Sequence, residues 1–149
     1  MVSRATFCLA LLLAGCGPRA VTLDEFHTRL VTLPDGYQVR CELMATPDEI
    51  ARGMMFRDSL APDRGMLFFH KQPGVYRYWM YNVRIPLDMI WMDVDRKIVE
   101  LVPDTQPCTE EDPTRCRVYG GAALAVTVLE LPVGSIAKHG LRVGQRLRF

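Results

Sequence analysis

Beyond its N-terminal end the chain lacks any apolar run approaching the roughly 20 residues that a bilayer crossing needs. No membrane-spanning helix is therefore expected after residue 16. The chain also lacks a charge excess: 18 Lys and Arg stand against 17 Asp and Glu, for a net charge of +1. Without a basic surplus to hold phosphates, nucleic acid is not an expected partner. No repeat of fixed period and no low-complexity tract is present. Also missing are a G-x-S-x-G elbow, a phosphate-binding loop, and zinc or EF-hand spacing. The histidines, His27, His70 and His139, are scattered, and none stands near Cys41. A cysteine-histidine nucleophile would need the fold to bring them together. No cofactor and no metal is implied.

What the chain does have begins at its N-terminus. Arg4 supplies a positive charge, and Phe7 to Leu13 form a short apolar core of the kind a secretion signal carries. Leu13-Ala14-Gly15-Cys16 closes that run and resembles the lipobox of bacterial lipoproteins. The resemblance implies that Cys16 is lipidated and becomes the first mature residue, with the membrane as partner through its acyl chains. Each buried methylene contributes ~0.8 kcal/mol, so two or three chains anchor stably. The alternative is an ordinary cleaved signal in which Cys16 is incidental. Under the retention rule of enterobacterial lipoproteins, Gly17 in place of Asp favours the periplasmic face of the outer membrane. The expected organisation is a signal peptide at 1–15, a lipidated N-terminus and tether at 16–36, and one domain at 37–149.

Outside the cytoplasm, Cys108 and Cys116 are natural disulfide partners around the polar, proline-bearing stretch Thr109 to Arg115. Closing so short a loop is worth ~2–3 kcal/mol in the chain-entropy model. A metal or redox pair is the alternative, but the spacing is not CxxC and no histidine lies nearby. Cys41 alternates with Tyr37, Val39 and Leu43 and reads as a buried, inert thiol.

Along the chain, period-2 alternation predicts a first strand at Tyr37 to Ala45. Thr46-Pro47-Asp48-Glu49 carries the pattern of a capping box opening a short helix that Gly53 ends. Further strands are expected at Met66 to Phe69, Val75 to Tyr81, Asp88 to Val94, Ile98 to Val102, Leu124 to Leu131 and Arg146 to Phe149. A second short helix fits Pro132 to His139. The expected fold class is mainly β (α+β): a compact, mostly antiparallel curled sheet or barrel-like domain with two short helices.

Three blocks recur in a known order and spacing. They are Arg52-Gly53-Met54-Met55-Phe56-Arg57 with Gly65-Met66-Leu67-Phe68, then Trp79 to Asp88, then Pro107-Cys108 through Tyr119 to Val128-Leu129-Glu130-Leu131 and Gly140 to Gly144. In these blocks the chain resembles the domain of unknown function 192 family over roughly Gln38 to Phe149. The resemblance implies a small β-rich domain, often exported, with no established activity. Members usually carry Lys where this chain has Tyr81, Thr where it has Val83, and an acidic residue near Gln145. Any anion-binding role of that lysine is therefore not expected here.

The Trp79 to Asp88 block is the best candidate site. In an extended strand Tyr76, Tyr78, Met80 and Asn82 share one face, and Val75, Arg77, Trp79 and Tyr81 the other. Aromatic faces beside Asn82 and Asp88 suit a sugar ring or a peptide, with Arg57 and Tyr119 as neighbours. The plainer reading makes Trp79 core, and gives Asn82 and Asp88 to the turn around Pro86.

Asp88 and Glu130 are candidate catalytic carboxylates for a small hydrolase or lyase, provided one cleft holds both. Glu130 is conspicuous between Leu129 and Leu131, and either faces inward or lies on the solvated face. Met54, Met55, Met66, Met80, Met89 and Met92 raise a Cu(I) alternative, although their apolar neighbours favour core packing. The leading expectation is a non-enzymatic ligand-binding or accessory module of the cell envelope, facing a glycan, a peptide or a partner protein.

Overall fold

The computed structural model describes residues 27–149. The expected signal peptide, Cys16 and the expected tether as far as residue 26 lie outside the described residues. Part of the stretch expected as tether is a strand. β1 (Thr28–Thr32) pairs antiparallel with β2 (Gln38–Met44) through a tight turn. The Gly36 amide donates to the Leu33 carbonyl at 2.9 Å, and the Asp35 carboxylate accepts from the Tyr37 amide at 3.0 Å. Val31 and Leu33 are buried, and this gain in apolar burial recruits the segment to the sheet.

The capping box forms as its spacing predicts. In α1 (Pro47–Arg52) the Glu49 amide donates to Thr46 Oγ1, while the Glu49 carboxylate accepts from the Thr46 amide at 2.9 Å. Gly53 ends the helix at φ +41°, where an L side chain is strained. The chain then crosses over to β3 (Arg64–Gly74), parallel to β2. β3 is far longer than the apolar run Met66 to Phe69: Arg64 pairs with Arg40 at one end, and beyond an irregularity Gly74 pairs with Ala125 at the other.

The expected strand from Val75 to Tyr81 shrinks to β4 (Tyr78–Trp79), which pairs only with β7 (Val118–Tyr119). Its side-chain alternation nevertheless holds. Val75, Arg77 and Trp79 are exposed, Tyr78 is half-buried and Met80 is buried. The remaining elements are β5 (Leu87–Met92), β6 (Ile98–Thr105), β8 (Ala125–Pro132) and α2 (Ser135–Lys138).

The main sheet runs β1-β2-β3-β8-β5-β6, antiparallel at every pairing except β2–β3. It is an open mixed sheet, and the expected barrel closure does not occur. The C-terminal residues expected as a last strand instead form two isolated bridges, Thr32 to Arg148 and Lys97 to Arg146. They strap one end of the sheet, touching the last residue of β1 and the start of β6 without forming a strand between them. None of the helices among the described residues is long and apolar enough to cross a membrane.

Each face of the sheet carries its own core. On one face Cys41, Leu67, Ile90, Leu129 and Leu131 pack with Leu141 and Leu147. On the other Met66, Phe68, Met89, Trp91 and Val128 pack under Met54, Met80 and Tyr119. Cys41 is the free thiol of the first core, and burial pushes its pKa up to about 12, as befits an inert group. Cys108 and Cys116 are disulfide-bonded, with Cα atoms 5.6 Å apart.

Candidate functional site

Register decides which polar side chains meet. Glu42 stands opposite Met66, Met66 opposite Glu130, and Glu130 opposite Met89. Residues opposite one another in a ladder share a face, so these four form one row across β2, β3, β8 and β5. That row lies under α1, the loop at 53–57 and the β4–β7 ribbon.

Glu130 is 4 % exposed, and its Oε2 has no hydrogen-bond partner. Burial pushes its carboxyl up from 4.5 to about 8, with the Arg57 charge pulling weakly the other way. Arg57 does not spend its fork on Glu130. Its two terminal nitrogens take the two oxygens of Glu42, each at 2.6 Å. Loop geometry sets Arg57 there. Buried Met54 anchors the segment, and the Phe56 amide donates to the Asn82 carbonyl at 2.8 Å. Phe56 and Asn82 both adopt left-handed backbone, at φ 64° and 57°. For non-glycine residues this is uncommon, and here it pins two turns against each other.

Above Glu130 lies a narrow cavity of about 30 Å³, lined by Met54, Phe68, Tyr78, Trp79 and Tyr81. Exposed Ala51, Arg52 and Trp79 form its outer end. Trp79 and Tyr81 lie with ring centroids 5.5 Å apart, and Tyr78 meets Phe68 edge-on at 5.2 Å. The Tyr78 hydroxyl is 3.1 Å from His70 Nε2, and burial raises its pKa. Burial also holds the His70 imidazole below its ordinary range. Two open grooves adjoin this cavity. One, of about 440 Å³, runs past Glu42, Met55 and Arg57. The other, of about 260 Å³, runs past Phe56, Tyr81, Asn82 and Glu110 beside the disulfide loop.

Of the residues singled out from sequence, Trp79 and Asn82 line these spaces, and Arg57 holds the loop between them. Tyr119 does not line them. It is buried opposite Tyr78, and its hydroxyl accepts from the Gln106 amide at 3.3 Å.

Asp88 leaves the site altogether. It stands opposite Leu131, on the face away from Glu130. Its oxygens accept from the Asp104 amide at 2.9 Å and the Ile136 amide at 2.7 Å, joining β6 and α2 to β5. The sheet separates the two carboxylates, so the hydrolase or lyase geometry built on Asp88 and Glu130 is absent. The methionines are divided in the same way: Met92 packs on one face, and Met54, Met66, Met80 and Met89 on the other. They lie among Leu, Phe and Trp side chains in two apolar cores, where they fill space as core residues. Nothing in the local sequence singles out Glu42, which alternates with Cys41 and Leu43 in the strand. Only the parallel β2–β3 register places it in line with Glu130.

The fold and this site place the chain in a class of small mixed-sheet domains without an assigned activity. The family model for domain of unknown function 192, described as Uncharacterized ACR, COG1430, matches residues 30–149, and the chain belongs to that family. Among solved structures it is similar to a protein of unknown function from Novosphingobium aromaticivorans. That pair shares 31 % identity and a TM-score of 0.71, over 80 % of this chain and 82 % of that one. It is also similar to a protein from Sinorhizobium meliloti described as a candidate transcription regulator. Here identity is 28 % and the TM-score 0.71, over 80 % of this chain and 89 % of the other. No curated protein matches the chain.

Proposed function

We propose that this protein is a non-enzymatic ligand-binding module of the cell envelope, anchored by lipid on Cys16. It receives its ligand in the aromatic cavity above Glu130. One observation carries this reading. A carboxyl oxygen is buried without a partner at the inner end of a cavity that opens between Trp79 and α1. A buried polar atom left unbonded costs about 1–3 kcal/mol, and a ligand group that bonds it recovers that cost. The aromatic rim and the adjoining grooves suit a glycan or peptide of the envelope. The lipobox supports the location.

The test uses the full-length chain in an uncharged polyoxyethylene detergent. Chitooligosaccharides, a peptidoglycan stem peptide and short lysine-containing peptides are titrated against Trp fluorescence and thermal stability. A ligand at 100 times its Kd adds about 2.7 kcal/mol of stability. A shift abolished by Trp79→Ala supports the reading, and binding that survives Trp79→Ala overturns it. For the anchor, Cys16→Ser is expected to move the protein from the membrane pellet to the soluble fraction.

A further inference from the structure

We infer that the cavity above Glu130 is a receptor for a single primary ammonium group at the end of an unbranched alkyl chain, as in a lysine side chain or a terminal diamine. The inference rests on the binding reading above and names the ligand chemistry. Three observations carry it. The first is the acceptor. Glu130 Oε2 is buried and unpartnered, and it lies in the lining of the cavity.

The second is the wall. Phe68, Tyr78, Trp79 and Tyr81 line the same cavity as the carboxylate, and aromatic faces attract cations, more strongly as water is excluded. The third is the charge count of the row. Arg57 is committed to Glu42 through both terminal nitrogens, so that pair is neutral and an ionised Glu130 is left with one uncompensated negative charge. An ammonium group neutralises the set. The cavity, at about 30 Å³, admits an NH₃⁺ terminus and its methylene but not a trimethylammonium head. The mouth leads past exposed Ala51 and Arg52, where the rest of an alkyl chain can run outward.

Few charged groups face Glu130 from the elements around it. Arg57 follows α1, Glu42 comes from β2, and Arg52 stands solvated at the outer end. β3 and β5 present Met66 and Met89, and β4 presents the Tyr78 hydroxyl. The cation therefore competes only with a proton on Glu130. Binding at pH 6.5 should release about one proton. Affinity should rise about tenfold per pH unit between pH 5 and 7, and level off above pH 8.

Calorimetry of the full-length chain in uncharged polyoxyethylene detergent tests this. Titrations at pH 6.5 use two buffers of different ionisation heat. The probes are pentane-1,5-diamine, Nα-acetyl-lysine methylamide and, as neutral isostere, Nα-acetyl-norleucine methylamide. The expected result is binding of the first two with proton release, and at least about thirtyfold weaker binding of the isostere. Glu130→Gln, which keeps shape, abolishes both the affinity and the proton release, and Tyr81→Leu weakens binding in a chain with an intact buried row. The diamine and lysine arms separate a free amine from a peptide side chain. If glycans or the isostere bind at Trp79 without proton release and the amines do not, the ammonium inference falls while the binding reading stands. If Trp79 and Tyr81 respond to no probe, neutral or cationic, both fall.

Discussion

Glu130 is where residue-scale physics is most exposed. Its carboxyl ionises near pH 4.5 in the unfolded chain and near 8 in the folded one, so between those values the native state binds more protons. Its contribution is therefore most favourable below pH 4.5, falls as pH rises towards 8 and is flat above. At pH 7 the loss is roughly 3 kcal/mol, at about 1.4 kcal/mol per pK unit. Glu130→Gln removes the ionisation and is expected to be the more stable protein at pH 8, with little advantage at pH 4. Urea unfolding at the two pH values checks it, and equal slopes of stability with pH for both chains would refute it. Arg57→Leu removes the nearby positive charge and is expected to move the Glu130 titration, followed by carboxyl NMR, further upward.

At the scale of elements, Asp88 and the disulfide loop do structural work on opposite faces. Asp88 is fully buried and accepts from the amides of Asp104 and Ile136, so Asp88→Ala leaves both N–H groups without their acceptor. The expected cost is about 2–4 kcal/mol, with ligand binding at the Trp79 rim unchanged. Measured together, the two readouts separate a positioning carboxylate from one that touches ligand. Breaking the Cys108–Cys116 bond by paired Ser substitution is expected to cost about 2–3 kcal/mol in chemical denaturation. It also loosens the groove that Cys108 and Glu110 help to line. Gly120 shows how tightly the ribbon seats. Its φ is +77°, and an added Cβ would come within 2.2 Å of the Trp91 ring. Gly120→Ala is therefore expected to prevent stable folding rather than merely lower Tm.

For the whole molecule, the strap at 146–148 matters more than its length suggests. Leu147 is buried, and Phe149 packs edge-on to Phe69 with Arg96 over its ring. Truncation after Gln145 is expected to raise hydrogen exchange in β1 before it affects β8, because Thr32 loses its bridge to Arg148.

Local chemistry made much of this molecule legible beforehand. The capping box, the Cys108–Cys116 pair, the buried thiol of Cys41 and most strands follow from short-range patterns. The strand β1 was not legible because the short segment before Tyr37 gains its burial only once the sheet is built, and the length of β3 because distant pairing with β8 extends it. Barrel closure was over-read because alternation predicts strands and says nothing of whether the edge strands meet.

Sequence by itself determined that Glu130 would be an acid in an apolar strand and that Trp79 would sit among aromatics. Period-2 patterning and composition are local properties of the chain. Only the tertiary structure decided that Asp88 and Glu130 lie on opposite faces, that Glu42 ties up Arg57, and that an aromatic cavity stands over an unpaired carboxylate. Those outcomes depend on strand register and crossover. A shift of one residue would have turned every one of those side chains to the other face.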